Sequence, residues 1–189
     1  MKILLLFTAA LAATISTAAM AAPANIVVVD NERIFAECTA CKSAQTQLQG
    51  QATALQSRQA ALAAPIRTEG QSLQTAVNAL NGKEPDAALK ARVTAFETRQ
   101  NTANQELGRM QQNLQSSQAN VLRQIQAKLA PIYTQVMTSK GANLALDANS
   151  TLARGQALDV TSEVLAALNA ALPSVSVTPG PAAAAPQGR

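Results

Sequence analysis

Residues Asn81 to Asp86 read NGKEPD and separate two long stretches that carry helical heptad periodicity. Asn81-Gly82 suits a left-handed helix C-cap, and Pro85 prevents the helix from continuing. Asp86 can then accept a hydrogen bond from a backbone N–H at the start of a second helix. Two helices that are joined by so short a connection have to fold back on each other. The segment therefore predicts a long antiparallel helical hairpin.

Each arm of this hairpin, which we place at residues 42–140, carries an apolar stripe at heptad spacing. The stripe consists of Leu48, Ala52, Leu55, Leu62, Ile66, Leu73 and Leu80 in the first arm and of Leu89, Val93, Phe96, Ala103, Leu107, Met110, Leu114 and Val121 in the second. Gln59 and Glu69 interrupt the stripe as polar faults. Gly50, Pro65 and Gly70 are expected to loosen or bend the arms, whereas Gly108 is better explained as an imperfection that the helix tolerates. The prediction is a coiled-coil-like pair whose flanks stay solvated.

Short apolar segments flank the hairpin on both sides. NIVVVD, Asn25 to Asp30, is rich in β-branched residues and predicts a strand. The residues around Leu144 and Leu146 predict a second strand, and Thr151 to Ala153 a third. Strands this short do not form a stable sheet alone. We therefore expect several subunits to pool their strands in one oligomeric body.

The rest of the body is a terminal helix. Thr161 is a candidate N-cap, and Pro173 ends the apolar pattern. With this helix, residues 22–41 and 141–172 form the predicted body. The Pro/Ala/Gly-rich tail, residues 173–189, is predicted to be disordered.

The N-terminus has the three parts of a secretory signal peptide. Lys2 is followed by an apolar run and then by Ala19-Met20-Ala21, a small-residue cleavage site. The apolar run is too short to be a membrane anchor. We expect residues 1–21 to be removed by cleavage near Ala21 and the mature chain to be exported to an oxidising compartment.

Positive charge is concentrated in the arms. The chain has 15 Lys and Arg against 11 Asp and Glu, and residues 42–140 contain 11 of the basic and five of the acidic residues. A solvated coiled-coil face is one explanation. The other is a surface that attracts a partner of opposite charge at long range. The candidate binding residues are Arg58, Arg67, Lys90, Arg92, Arg99, Arg109 and Arg123. The export signal argues against nucleic acid as the partner.

Both cysteines, Cys38 and Cys41, form a C-x-x-C pair just before the first arm. An oxidising compartment favours a structural disulfide between them. Interchain bonding, a free thiol and a redox function remain open, because a helix N-terminus lowers a thiol pKa. A metal site needs more ligands than one chain supplies, so no metal is expected.

No other catalytic constellation is present. The chain has no His, which excludes a Ser/His/Asp or Cys/His arrangement. Asp30, Asp147 and Asp159 fit strand ends and helix caps better than an acid pair. The sequence therefore predicts a protein that is not an enzyme and has no cofactor.

The order of segments resembles one known family. IVVVD, NERIFAE, a long hairpin rich in Gln and Ala, and GANLALDANSTLARGQALDVTSEVLAAL together resemble the OmpH/Skp family of periplasmic chaperones. The resemblance covers Ile26 to Asn169, and LALDAN followed by ALDVTSEVLAALN is its most specific part. It implies a periplasmic homotrimer whose helical arms surround a cavity. Unfolded outer-membrane β-barrel proteins would be held there without ATP.

Three other functions compete with this expectation. The first alternative is a structural coiled-coil envelope protein without chaperone activity. A lipid-binding amphipathic protein would need wider apolar faces with aromatic residues, although anionic lipid or lipopolysaccharide remains a candidate additional partner. The third is a disulfide exchanger that uses Cys38 and Cys41.

Overall fold

The computed structural model of the chain describes residues 24–180. The predicted signal peptide, residues 1–21 with its cleavage near Ala21, lies outside the described residues, as does the tail beyond Gly180. The elements in chain order are β1 (Ile26–Val29), α1 (Asn31–Glu37), α2 (Thr39–Ala79), α3 (Ala87–Ser139), β2 (Leu144–Asp147) and α4 (Thr161–Ala171). The mostly helical fold with a small sheet and a long hairpin confirms the predicted fold class.

The turn of the hairpin follows the sequence closely. Asn81 and Gly82, which follow the end of α2, both adopt the left-handed conformation, with φ values of 47° and 85°. The Asp86 carboxylate accepts a hydrogen bond of 2.8 Å from the backbone N–H of Leu89 and caps α3. At 1.5 Å per residue, α2 is about 60 Å long and α3 about 80 Å long.

The arms pack along the predicted stripe, but most of its residues are only half-buried. Leu73, Leu89 and Ala103 are the buried apolar residues in the outer part of the described hairpin. Glu69 is not a fault in the packing, because its carboxylate pairs across the hairpin with Arg92 at 3.0 Å.

The residues that were expected to loosen the arms do not interrupt them. Both α2 and α3 continue through an internal proline, Pro65 and Pro131 respectively. A Cβ at Gly70 would lie 3.3 Å from the Phe96 ring, so this glycine makes room for an aromatic side chain. Gly50 and Gly108 face open space.

The sheet has two parallel strands that pair within the chain. Ile26 lies opposite Leu144, and Val29 opposite Asp147. Parallel strands need a long crossover, and here the whole hairpin supplies it. The expectation that the strands would find partners only in sister subunits was therefore wrong for this pair.

The third predicted strand, Thr151 to Ala153, does not form. A 3₁₀ turn at Ala148–Ser150 precedes this segment, and Leu152 is fully exposed. The other side of β1 instead meets a single residue, Asp159, in an isolated parallel bridge with Val28. The polar turn residues take the chain away from the sheet before a third strand can pair.

The cap of α4 also differs from the prediction. Thr161 is the first residue of the helix, and its backbone N–H donates to the Asp159 carboxylate at 2.9 Å. The buried Thr161 hydroxyl accepts a hydrogen bond from the backbone N–H of Asp30. Asp159 therefore satisfies the helix terminus, while Thr161 ties α4 to the end of β1.

The hydrophobic core lies where α1, α4 and the sheet pack against the ends of α2 and α3. Its residues include Val27, Val29, Ile34, Ala44, Val121, Ile125, Leu129, Ile132, Val136, Val164 and Leu168. We call this end of the molecule, including α3 from Val121 onwards, the body. The rest of the hairpin, beyond Ala44 on α2 and before Val121 on α3, is called the arms.

The first part of the tail differs from the expectation of disorder. Residues 173–180 lie along α2 and α3, and Val177 is only 7% exposed within the hydrophobic core. We call this segment the strap. The alternation of Val175 and Val177 with Ser174 and Ser176 was the signal for it.

Candidate binding surface

The seven candidate basic residues are all exposed on the hairpin, but they are not equivalent. The Arg58 guanidinium forms two hydrogen bonds with the Glu106 carboxylate, at 2.6 and 3.0 Å. Arg92 bonds both Glu69 and the Ser72 hydroxyl. Two of the seven therefore hold the two helices together.

The Arg58–Glu106 pair shifts both titrations in the direction expected for an ion pair. The hydrogen bond to Glu106 raises the pKa of Arg58. The same hydrogen bond lowers the pKa of Glu106, and the positive charge of Arg58 adds to the shift. Both groups stay charged at neutral pH, and their charges largely cancel for an approaching partner.

The other five basic residues have no carboxylate within ion-pair distance in residues 24–180. They are Arg67, Lys90, Arg99, Arg109 and Arg123. Their side chains extend from the arms and from the start of the α3 part of the body. The structure thus divides the predicted set into two pairing residues and five cations that are available to a partner.

An apolar groove lies beside one of these cations, Arg67. A groove of about 300 Å³ in the middle of the arms is lined by Leu62, Ile66, Ala103 and Leu107, with Arg67 at its edge. Such a groove can accept small apolar side chains, each of which contributes roughly 25 cal/mol per Å² that it buries.

A larger groove of about 540 Å³ lies where the arms meet the body. Phe35, Leu48, Val121 and Ile125 line it, and Leu122 at its wall is 45% exposed. At 100° per residue, Leu122 lies on the opposite flank of α3 from the residues that hold the strap. One flank of the hairpin is thus covered by the strap, and the other is open.

Cys38 and Cys41 are joined by a disulfide within the chain. Cys38 is the N-cap of α2, and its sulfur accepts a hydrogen bond from the Cys41 backbone N–H at 3.2 Å. The two residues are 0% and 7% exposed. This burial leaves little access for an attacking thiolate, so the geometry favours a structural role at the start of the first arm over disulfide exchange.

The three aspartates act as local caps, as predicted. Asp30 accepts from the Arg33 backbone N–H and caps α1, and Asp147 accepts from the Asn149 backbone N–H. Hydrogen bonds from Thr161 lower the pKa of Asp159. Asp30 and Asp159 also share an ion-pair partner, because both carboxylates lie within 3.6 Å of the Arg154 guanidinium.

A polar chain that sequence reasoning missed links the body across the sheet. The Tyr133 hydroxyl donates to the Asn31 side chain, whose amide donates to Asp147. Burial, and to a lesser degree the charge of Asp147, raises the pKa of Tyr133. The three residues are far apart in sequence, so no local pattern pointed to this contact.

Residues 24–180 contain no cluster of three or more His, Cys, Asp and Glu side chains that could hold a metal ion. Within the same residues, no helix is both long enough and apolar enough to cross a membrane.

Comparison with known proteins identifies the family. The model of the outer membrane proteins described as OmpH-like matches residues 25–168. The chain belongs to the OmpH-like family. The match begins at the residue before β1 and ends within α4. The strap of this OmpH-like protein therefore lies outside the matched region.

The fold of the OmpH-like chain has also been observed in a crystal structure. A protein from Caulobacter crescentus CB15, described as an OmpH-like outer membrane chaperone, superposes with a TM-score of 0.66 at 16% sequence identity. The match covers 82% of this chain and 90% of the other. At this identity the likeness establishes the fold. No curated protein matches the chain.

Proposed function

We propose that this OmpH-like protein is an ATP-independent periplasmic holdase that binds unfolded outer-membrane proteins between its arms and prevents their aggregation. The proposal rests on two features of the hairpin: five cations that have no carboxylate partner among residues 24–180, and a half-buried apolar groove that lies beside one of them, Arg67. Many weak apolar contacts and long-range attraction suit a client that has to be held and then released. The role is one of binding, with no catalytic step and no cofactor.

The export signal and the exposed arms support this location and role. Residues 1–21 have the pattern of a cleaved signal peptide, which would deliver the chain to the periplasm. The family membership is consistent with a partner at the outer membrane.

Light scattering tests the holdase proposal. A urea-unfolded outer-membrane β-barrel protein is diluted into buffer without ATP, alone or with rising amounts of this protein. We expect scattering to fall to the baseline at a fixed molar ratio. Unchanged scattering at every ratio would overturn the proposal and favour the structural coiled-coil alternative.

Two matched charge variants separate specific contacts from net charge. Arg67→Gln with Arg109→Gln removes two unpaired charges, while Arg58→Gln with Arg92→Gln removes two that are paired within the hairpin. At ~0.5 kcal/mol per exposed ionic contact, the first variant is expected to bind client about fivefold more weakly at low salt. The second should change binding less. Equal effects of the two variants, or no effect of either, would contradict the role of the unpaired cations.

The proposal includes assembly of three subunits through their bodies. Among the described residues, β2 pairs only with β1, and Leu144 on β2 is 43% exposed. The outer edge of a strand presents unpaired N–H and C=O groups that favour pairing with another chain. Sedimentation at micromolar concentration is expected to show a trimer, and a folded monomer would contradict this part of the proposal.

Anionic lipid or lipopolysaccharide is a proposed additional partner of the same five cations. Flotation with anionic vesicles at low salt is expected to carry the protein, and the Arg67→Gln, Arg109→Gln variant should float less. Equal flotation with neutral vesicles would argue against electrostatic binding.

A further inference from the structure

The strap lies on one flank of the hairpin in extended form. Residues 176, 178 and 180 of the strap meet Gln124, Asn120 and Ser116 of α3. Each step of two strap residues thus matches a step of four helix residues. Two extended residues span about 6.6 Å and four helical residues about 6.0 Å. The spacing of Ser116, Asn120 and Gln124 along α3 therefore matches the two-residue repeat of an extended chain.

The hairpin contacts the main chain of the strap through polar side chains. The Gln124 amide accepts from the backbone N–H of Ser176 at 3.0 Å and donates to its carbonyl at 2.9 Å. Gln51 of α2 donates to the carbonyl of Val177 at 3.0 Å, and Asn120 to that of Thr178 at 3.1 Å. None of these contacts depends on a strap side chain, so another extended segment can make them equally well.

The strap side chains add one simple requirement. Val177 is buried and Val175 is partly buried against the core, while Ser174 and Ser176 face solvent. The site therefore accepts an extended segment in which apolar and polar residues alternate. This alternation is the pattern of the strands of an outer-membrane β-barrel.

We propose that Gln51, Asn120 and Gln124 form a site that binds the main chain of an extended polypeptide through hydrogen bonds. The chain's own strap occupies this site at rest, and a segment of an unfolded β-barrel client displaces it. This inference rests on the proposed holdase function and names a place where the client binds. It also makes the strap a competitor that limits binding until enough client is present.

Tethering determines how strongly the strap competes. A short flexible tether gives an effective concentration on the order of 1 mM. A free peptide with the strap sequence and a Kd of ~0.1 mM would then bind the intact chain about tenfold more weakly than a chain with an open site.

The test uses the full chain and a fluorescent peptide of sequence SVSVTPG, residues 174–180. Val177→Asp places a charge in the buried position of the strap and is expected to release it. Fluorescence anisotropy should show about tenfold tighter peptide binding than to the unsubstituted chain. Ser174→Asp is the matched control, because it adds the same charge to the strap at an exposed position and should leave binding unchanged.

A second substitution locates the site. Gln124→Ala in the Val177→Asp background removes both hydrogen bonds to the residue at position 176 of the strap and should abolish the gain. Retained helical content by circular dichroism shows that both variants are folded. Equal peptide binding by the unsubstituted chain and the Val177→Asp variant, or a gain that survives Gln124→Ala, would overturn the inference.

Locking the strap gives an independent measurement. A Cβ at Gly180 would lie 3.0 Å from the Asn120 Cβ. A disulfide needs a Cβ–Cβ separation of about 3.5 to 4.5 Å, so the end of the strap has to move slightly outward for the bond to close. The variant Asn120→Cys with Gly180→Cys lacks the Asn120 hydrogen bond in both redox states, and we expect its oxidised form to capture less client than its reduced form. The unsubstituted chain, treated with the same reductant, controls for cleavage of the native disulfide. Equal capture in both redox states would count against the inference.

The outcome for the strap can be separated from that for the holdase. If the unsubstituted chain and the Val177→Asp variant suppress β-barrel aggregation at the same ratio, the strap does not compete, although the holdase proposal survives. If neither suppresses aggregation, the holdase proposal fails, whatever the peptide does.

Discussion

The body and the arms share helices α2 and α3, yet apolar side chains of these helices are buried much more completely in the body than in the arms. In the body, α3 residues such as Ile125, Leu129 and Ile132 are at most 5% exposed. In the described arms, the buried apolar residues are Leu73, Leu89 and Ala103. The comparison indicates that the body supplies most of the stability, while most side chains of the arms stay exposed or half-buried.

The two regions also differ in whether their basic residues have ion-pair partners. The two basic residues of the described body outside the hairpin are paired, Arg33 with Glu37 and Arg154 with Asp30 and Asp159. The arms instead carry cations without a carboxylate partner, such as Arg67 and Arg99. Outside the hairpin, the basic side chains of residues 24–180 are thus held in ion pairs, whereas the hairpin also carries unpaired cations.

The largest expected difference between body and arms comes from removing the same side chain in each. Leu168→Ala removes a fully buried side chain of the body, and we expect a loss of about 3 kcal/mol in the free energy of unfolding. Leu62→Ala removes a half-buried residue of the arms and should cost about 1 kcal/mol. Urea denaturation followed by circular dichroism measures both. Equal losses would show that the arms contribute as much stability as the body.

The disulfide at the junction of the two regions is expected to have the next largest effect. Cys38→Ser with Cys41→Ala keeps a capping oxygen for α2 and an apolar residue in the core. Opening so short a loop should lower the free energy of unfolding by about 2 kcal/mol. Denaturation of the variant measures this.

The control for that comparison is to show that the disulfide is closed in the unsubstituted chain. The unreduced mature chain should be two hydrogens lighter by mass spectrometry than the reduced chain. Covalent dimers on a non-reducing gel would contradict a bond within one subunit.

A buried hydroxyl near the boundary should weaken the arms. Ser117 is fully buried, and its Oγ has no hydrogen-bond partner in the described structure. Ser117→Ala removes an unsatisfied group and improves helix propensity, so we expect the free energy of unfolding to rise by about 1 kcal/mol. The neighbouring Ser116→Ala, which loses a bond to the strap, should not stabilise. A destabilised Ser117→Ala variant would mean that the hydroxyl has a partner in the assembled protein.

The smallest effects are expected from two glycines of the arms. Gly108→Ala meets no atom within 4 Å and should raise the free energy of unfolding by about 0.8 kcal/mol. Gly70→Ala would crowd the Phe96 ring and should gain less. Thermal unfolding of the two variants measures the difference. A larger gain at Gly70 would show that the ring moves freely and that the arms pack loosely there.

Local features were predictable because the residues that determine them are neighbours. Asp86 caps α3 through a backbone N–H three residues away. The Asn81-Gly82 pair ends the first helix by its own backbone preference. The apolar stripe of the arms was likewise visible as a repeat, and its residues are the ones that face the partner helix.

Contacts that join distant residues could not be read in the same way. Glu69 looked like a fault until the fold placed Arg92 beside it. Thr151 to Ala153 has the composition of a strand but pairs with nothing in the sheet. One side of β1 pairs with β2, and the other side forms a single bridge with Asp159. The tail looked disordered from its Pro and Ala content, although its first part lies on α2 and α3.

By itself, the sequence determined that the chain forms two long helices, where they end, and that they fold back on each other. These outcomes follow from hydrogen bonds and side-chain periods within one or two turns. Only the tertiary structure decided which strands pair, which arginines remain unpaired and where the strap lies. Such contacts bring together residues as distant as Asp30 and Thr161, 131 positions apart. Their formation depends on the surface buried by the whole body, because that burial has to offset the entropy of closing so long a loop.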